Sequence, residues 1–176
     1  MAHDNMTRRT RGREIALQVL YQLEQNPGMG PEDVQRFLQR RLRETELQDF
    51  AQELVGGVRE HRERLDELIG KVAENWSLER MAAIDRNLLR IGAFEMLFRP
   101  DIPVKVAINE ALELAKRYST AQSSRFVNGI LDRLQDVASE SRSGTVAPPS
   151  ELLELDPDPP LPDPNPDPDP PASESP

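Results

Sequence analysis

Residues 102–134, IPVKVAINEALELAKRYSTAQSSRFVNGILDRL, decide the fold class because they hold two helical apolar patterns separated by a short polar break. In the first half, apolar residues recur at steps of one, three and four: Val104, Ala107, Ile108, Ala111 and Ala115. In the second half, the same spacing joins Phe126, Val127, Ile130, Leu131 and Leu134. Such spacing places each set on one face of an α-helix. We therefore predict helices over about 103–117 and 122–137, with Pro103 in the first turn of the former.

Similar patterns occupy the chain towards its N-terminus and predict four more helices, over about 8–25, 31–43, 46–70 and 78–98. The sequence Asn26-Pro27-Gly28 ends the first of them, and Ser77 is a candidate cap for the last. The pair Gly56-Gly57 predicts a close helix contact or a bend, since two glycines cost a helix about 1–2 kcal/mol. No segment alternates with period two. We predict an all-α fold of about six to seven helices in two small sub-bundles, divided by the loop at 71–77.

The last part of the chain has a different composition. Residues 139–176 contain twelve of the sixteen prolines, and their nine acidic residues and one arginine give a net charge of -8. Because the whole chain carries -9, the first 138 residues are nearly neutral. A segment so rich in proline and like charge buries too little apolar surface to fold. We predict one helical domain over 1–138 and a disordered, acidic, proline-rich C-terminal tail over 139–176.

The composition also argues against catalysis. The chain has no cysteine, and its two histidines, His3 and His61, are far apart in sequence. It has no glycine-rich phosphate loop, and acidic residues such as Glu113 lie one turn from an arginine, here Arg117, as in an ordinary surface ion pair. We therefore expect no enzyme, no catalytic residue, no metal site and no cofactor. Without an apolar run long enough for a membrane span or a signal peptide, we expect a cytoplasmic protein.

A cluster of positive charge opens the first helix. Arg8, Arg9, Arg11 and Arg13 lie within six residues, and only Glu14 offers a nearby partner. At a helix start these cations would meet the positive end of the helix dipole and repel one another. One interpretation is a solvated helix start. The other is that the planar guanidinium groups of these arginines, whose geometry matches that of phosphate, bind single-stranded nucleic acid, with Tyr21, Tyr118 or Phe126 as stacking partners.

Three segments together carry a family resemblance: GREIALQVLYQLE, MAAIDRNLLRIGAFEML and the opening segment at 102–134. Over about residues 7–138 the chain resembles the NusB family of bacterial transcription antitermination factors. The resemblance implies an all-helical fold of two small bundles. It also implies binding to box A RNA of ribosomal RNA operon transcripts, together with NusE, a small-subunit ribosomal protein. With RNA polymerase and other Nus factors, such an assembly would suppress premature termination.

The resemblance also assigns residues. It implies RNA contacts for the arginine cluster, and for Tyr21, which would also meet the partner protein. The loop before FVNG would meet RNA through Gln122, Arg125 and Phe126; the best-known family member has an acidic residue where this chain has Gln122. Asp85 would contact NusE, or else serve as a helix cap beside Arg86.

Two other functions compete with RNA binding. A protein-only helical adaptor would use the later helices for a partner and leave the arginines incidental. An RNA methyltransferase with a similar front domain would need a glycine-rich cofactor loop, which this chain lacks. The acidic tail suggests two roles of its own, competition with RNA for the arginines or a solubilising extension.

Overall fold

The computed structural model describes residues 2–74 and 76–142, and the side chains of 8–74 and 76–140; the rest of the predicted tail lies outside them. These residues contain seven α-helices, one 3-10 turn and no strand. The helices are α1 (Ala2–Gln25), α2 (Pro31–Arg41), α3 (Thr45–Glu60), α4 (Arg62–Val72), α5 (Ala83–Phe98), α6 (Val104–Tyr118) and α7 (Ala121–Arg142), and the 3-10 turn is Leu78–Arg80. The predicted all-α fold is confirmed.

The helices form two groups. Helices α1, α2 and α3 pack on one another, and α5, α6 and α7 form a second group, with α4 packed mainly on α5 and α7. Contacts of α1 and α3 with α5 join the two groups. The division therefore falls between α3 and α4, at His61, and its predicted position at the 71–77 loop is wrong. Leu65, Leu68 and Ile69 of α4 are buried, and because α4 packs mainly on α5 and α7, its apolar stripe faces the second group.

The glycine pair marks a close helix contact. A Cβ added at Gly57 would lie 2.1 Å from Cζ of Phe94, whereas one added at Gly56 would meet nothing within 4 Å. Gly57 thus lets the Phe94 ring of α5 approach the backbone of α3. The helix does break, but four residues later at His61, whose ring stacks on Phe98 with centroids 4.0 Å apart.

Two predicted helix starts are corrected. Helix α1 begins at Ala2, so Arg8 lies well inside it and the arginines do not meet the positive end of the helix dipole, whose effect fades within the first turn. The predicted helix at 78–98 is instead the 3-10 turn followed by α5, and Ser77 makes no side-chain cap to that turn. At the other end, α7 continues to Arg142.

Two ion-pair networks connect the helix groups. In the first, Arg13 of α1 bonds to Glu95 of α5 and lies near Glu110 of α6. In the second, Glu24 of α1 accepts hydrogen bonds from Arg86 and Arg90 of α5, and Arg90 also binds Asp66 of α4. Buried charges require such partners because an isolated one is too costly to remove from water. Among the described residues no helix has the length and apolar character to cross a membrane.

Candidate nucleic-acid interface

The four arginines of the predicted cluster point in different directions. Successive residues of a helix are about 100° apart, so four arginines in six positions cannot share one face. Arg13 lies inside the protein with only 2% of its surface exposed. Its Nε donates to both carboxylate oxygens of Glu95, at 2.9 and 3.0 Å, and its Nη1 is 3.5 Å from Glu110. In this arrangement the Arg13 guanidinium binds carboxylates of the second helix group and is closed to a phosphate from solvent.

Arg8 and Arg9 lie on the side of α1 that faces α3. Arg8 forms an ion pair with Glu44, just before α3. Arg9 lies over the Phe50 ring, 5.0 Å from its centroid, and its Nη1 is 3.9 Å from Asp101. Both side chains remain partly exposed, so they are accessible to a ligand that displaces these weak surface pairs.

Arg11 points away from Arg9 and belongs to a different group of residues. Its Nη1 bonds to Glu14, which is the partner expected from the sequence. The same carboxylate accepts hydrogen bonds from Nη1 of Arg117, at 3.2 Å, and from the hydroxyl of Tyr118. Gln18 in turn donates to the Tyr118 hydroxyl at 3.2 Å. Helix α1 and the last turn of α6 thus form one polar surface, and Glu14 lies at its centre.

Tyr21 extends this surface along α1. Arg11, Gln18 and Tyr21 are seven and three residues apart, which places them on one face of the helix. The Tyr21 ring is among the few large hydrophobic side chains that remain exposed. Tyr21 lies ten residues beyond Arg11, nearly three turns along the helix. An exposed aromatic ring on a surface that also carries exposed arginines can stack on a nucleotide base.

The loop that joins α6 to α7 borders the same surface. Its first residue, Ser119, donates a hydrogen bond from Oγ to the buried carboxylate of Asp85, which anchors the loop on α5. Gln122 is half-buried, whereas Arg125 is exposed and forms no ion pair with any described residue. Phe126 is 1% exposed and packs in the core. A buried ring cannot stack on a base, so the geometry gives Phe126 a packing role.

Asp85 lies below the loop and not on an open surface. It stands in the first turn of α5, yet it makes no cap to that helix. Arg86, its neighbour in sequence, is directed away from it, towards Glu24 and the carbonyl groups of Leu78 and Met81. Because Asp85 is buried below the loop, its side chain is closed to direct contact with another protein in this arrangement.

The structure adds two residues that the sequence did not assign to this surface, Glu14 and Arg117. The expected pairing of Arg117 with Glu113 is wrong, because Glu113 pairs with Lys116 at 3.1 Å. Arg117 pairs across to Glu14 of α1 instead. Sequence spacing favours partners within one helix, and only the packing of α1 beside α6 brings these two residues together.

A second polar site is a cleft of about 1310 Å³ at the far end of α1. Glu24, Asp66, Arg86 and Arg90 line it, and these four residues bind one another. Burial raises the pKa of Glu24, but hydrogen bonds from Arg86 and Arg90 outweigh it and leave the pKa below its usual value. The side chains of Arg86 and Arg90 are only 18% and 4% exposed, so these two paired arginines offer less to a phosphate than the exposed Arg11 and Arg117 beside Glu14. Within the described residues no group of three or more potential ligand side chains could hold a metal ion.

Comparison with known proteins gives a consistent result. The family model described as the NusB family matches residues 10–136. A transcription antitermination protein NusB from Myxococcus xanthus (strain DK1622) is 48% identical over 133 residues, which cover 73% of this chain and 95% of that relative.

Two solved structures have the same fold. NusB from T. maritima superposes with a TM-score of 0.67 at 35% identity, covering 84% of this chain and 97% of that one. A crystal structure of the antitermination factors NusB and NusE in complex with dsRNA matches with a TM-score of 0.68 at 25% identity, covering 75% and 98%. The chain therefore belongs to the NusB family.

Proposed function

We propose that this protein is a transcription antitermination factor that binds box A RNA of ribosomal RNA operon transcripts together with NusE. Within an RNA polymerase complex that includes other Nus factors, it would help to prevent premature termination. The role is one of binding without catalysis, in the cytoplasm.

One observation carries the proposal: the exposed arginines Arg11 and Arg117, from two helices, meet at Glu14, and the face of α1 that carries Arg11 also presents an exposed tyrosine. Arg11 comes from α1 and Arg117 from α6, and Tyr21 lies on the same face of α1 as Arg11. Arg125 is a further exposed arginine, near the start of α7. Arginine suits this role because its planar fork bonds phosphate and its face stacks on bases. The related NusB that was crystallised with NusE and dsRNA makes RNA the first ligand to test.

The burial of the predicted residues refines their roles. We assign direct RNA contact to Arg11, Tyr21, Gln122 and Arg125, and peripheral contact to Arg8 and Arg9, which already have surface partners. Arg13 and Phe126 would act through packing, since neither is exposed. Tyr21 and the loop held by Asp85 would also face NusE.

The acidic tail is assigned a separate role. We propose that the helical domain folds without it and that the tail keeps the protein soluble or competes weakly with RNA. Deletion of residues 143–176 should leave the melting temperature unchanged. If the tail competes, RNA affinity should rise at low salt, where charge interactions reach furthest. Equal affinities at 50 mM and 150 mM salt, with and without the tail, would leave only the solubilising role.

RNA binding is tested by fluorescence anisotropy with a labelled box A oligonucleotide, a scrambled oligonucleotide and an RNA duplex, each with and without NusE. Arg11→Ala and Arg125→Ala should each reduce the log–log salt slope by about 0.7, the contribution of one phosphate contact to a single strand. Arg36→Ala, which removes another exposed arginine, paired with Asp33 on α2, is the matched control and should bind normally. If both variants bind RNA like the wild type while NusE still co-purifies, the protein is a protein-only adaptor.

A further inference from the structure

Glu14 lies at the centre of the proposed phosphate-binding surface, where a negative charge would repel phosphate. Its carboxylate is directly below the guanidinium groups of Arg11 and Arg117 and accepts hydrogen bonds from both, as well as from the Tyr118 hydroxyl. These donors come from two helices that belong to different helix groups. One buried acid thus joins α1 to the end of α6.

The burial of these side chains differs sharply. The Glu14 side chain is 8% exposed, whereas those of Arg11 and Arg117 are 47% and 54% exposed. Each arginine donates one hydrogen bond to Glu14, and its remaining N–H groups are directed towards solvent. Tyr118 is likewise bonded through its hydroxyl and exposes its ring. The result is two arginines and an aromatic ring that are accessible to a ligand yet fixed from below.

The charge state of Glu14 is secure near neutral pH. Burial alone raises the pKa of its carboxyl, but hydrogen bonds from Tyr118, Arg11 and Arg117 outweigh that effect and hold the pKa below its usual value. The Tyr118 hydroxyl is affected in the opposite sense, because burial and its bond to Glu14 raise its pKa. Tyr118 therefore stays a donor and Glu14 an acceptor.

We infer that Glu14 is a positioning residue that holds Arg11, Arg117 and Tyr118 together as one nucleotide-binding cluster. In this cluster the two arginines bond an RNA phosphate and the Tyr118 ring contacts the adjoining base. The inference rests on the proposed RNA-binding function. It assigns Arg117 and Tyr118 to RNA contact and explains why a negative charge lies within a surface meant for phosphate. Freely rotating arginines would lose side-chain entropy on binding, and fixing them beforehand reduces that loss.

The test uses a substitution for which positioning and simple charge predict opposite results. Glu14→Gln removes one negative charge from the surface, so charge alone predicts tighter RNA binding. Loss of positioning predicts weaker binding, by about fivefold to tenfold, because charge-assisted hydrogen bonds that fix the arginines are lost. Glu113→Gln, one turn before Arg117, removes the same charge and is the matched control, since among the described residues Glu113 pairs with the exposed Lys116 and not with Arg117. It should bind RNA as tightly as the wild type or slightly tighter.

A double-mutant cycle separates positioning from general destabilisation. The effects of Glu14→Gln and Arg117→Ala on RNA affinity should be strongly non-additive, because both break the same contact. The effects of Glu14→Gln and Arg125→Ala should add, because Arg125 makes no contact with Glu14. Circular dichroism before each titration checks that the variant is folded. If Glu14→Gln fails to fold, Glu14→Asp, which keeps the charge and shortens the reach, is judged by the same two criteria.

The outcomes distinguish this inference from the proposed function. Binding by Glu14→Gln that equals or exceeds that of the wild type would overturn the inference, and so would an additive cycle with Arg117→Ala. If Arg11→Ala and Arg117→Ala themselves leave RNA affinity and its salt slope unchanged, the surface does not bind RNA and the proposed function fails as well. Weaker binding together with coupling to Arg117 supports Glu14 as the positioning residue.

Discussion

Replacement of Arg13 by alanine should destabilise the fold far more than it changes any direct contact with RNA. The guanidinium is 2% exposed and is bonded to Glu95, with Glu110 close by. Its removal would leave two buried carboxylates without their common cation. Breaking a buried pair in this way costs about 3–5 kcal/mol. At about 4 °C per kcal/mol for a domain of this size, we expect the melting temperature to fall by roughly 12–20 °C.

Arg11→Ala is the matched comparison, since it removes the same side chain two residues away on the exposed face of the same helix. It breaks a partly exposed pair, and Glu14 keeps its bonds to Arg117 and Tyr118. We expect a loss of no more than about 1 kcal/mol in unfolding free energy. The two variants should affect RNA affinity in the opposite order to stability. Arg11→Ala should bind RNA more weakly than the wild type, whereas Arg13→Ala should bind it almost normally at temperatures at which it remains folded.

The effect of Arg13→Ala should also depend on pH. Burial raises the pKa of Glu95 to about 7 even though the Arg13 guanidinium acts to lower it. Without Arg13 the pKa of Glu95 would rise further, so at pH 8 the variant must either ionise an unpaired buried acid or bind a proton. At pH 5.5 that carboxyl is protonated in the folded form of both proteins. The difference in unfolding free energy should therefore be larger at pH 8 than at pH 5.5.

Urea denaturation followed by circular dichroism at the two pH values measures these differences, and anisotropy with a box A oligonucleotide measures binding. The reasoning would be refuted if Arg13→Ala melted within a few degrees of the wild type and yet lost RNA affinity. That result would place the Arg13 guanidinium at the RNA surface, as the sequence suggested.

Two further predictions concern the junction between the two helix groups, where α1 and α3 pack on α5. Gly57→Ala should destabilise the protein by about 1–3 kcal/mol because the new Cβ collides with Phe94. Gly56→Ala should stabilise it by about 0.5–1 kcal/mol, because its Cβ would point into open space and alanine favours the helix more than glycine does. If urea denaturation showed effects of the same sign for both variants, this prediction would be contradicted. Since the pKa of Glu95 is about 7 in the folded protein and near 4.5 when unfolded, the unfolding free energy should decrease by on the order of 3 kcal/mol as the pH rises from about 4.5 to 7. Glu95→Gln should flatten that decrease, and an unchanged pH profile would show that another group causes it.

The sequence was most informative where one apolar stripe matched one helix. Val104, Ala107 and Ile108 predicted α6, and Phe126 and Ile130 predicted α7. A helix that buries one face has apolar residues at the 3.6-residue period whichever element it packs against. The break at His61 was not predictable in the same way. The stripe of the predicted helix at 46–70 passes through His61 without a change of phase, and the break accompanies a contact between His61 and Phe98 of a distant helix.

The burial of Arg13 could have been predicted from the sequence. Arg13 precedes Ala16 by three residues and Leu20 by seven, so it lies on the apolar stripe of its own helix and away from Arg11. What no spacing could supply was its partner, because Glu95 and Glu110 come from helices 82 and 97 positions later in the chain. A charged residue on an apolar stripe therefore predicts a buried ion pair before it predicts a ligand contact, and the count of nearby arginines is a poor guide to an RNA surface.

This arrangement makes the stability of the helix junction a condition for RNA binding. The exposed cations of the proposed surface come from both helix groups, Arg11 from the first and Arg117 and Arg125 from the second. Their relative positions are fixed only while α1 stays packed against α5 and α6, and the buried contacts of Arg13 with Glu95 and Glu110 link these three helices. At temperatures at which its junction opens, a variant such as Arg13→Ala would separate the cations without changing their number. It would lose affinity for RNA while the salt dependence of each remaining contact stays the same, which distinguishes a loss of geometry from a loss of charge.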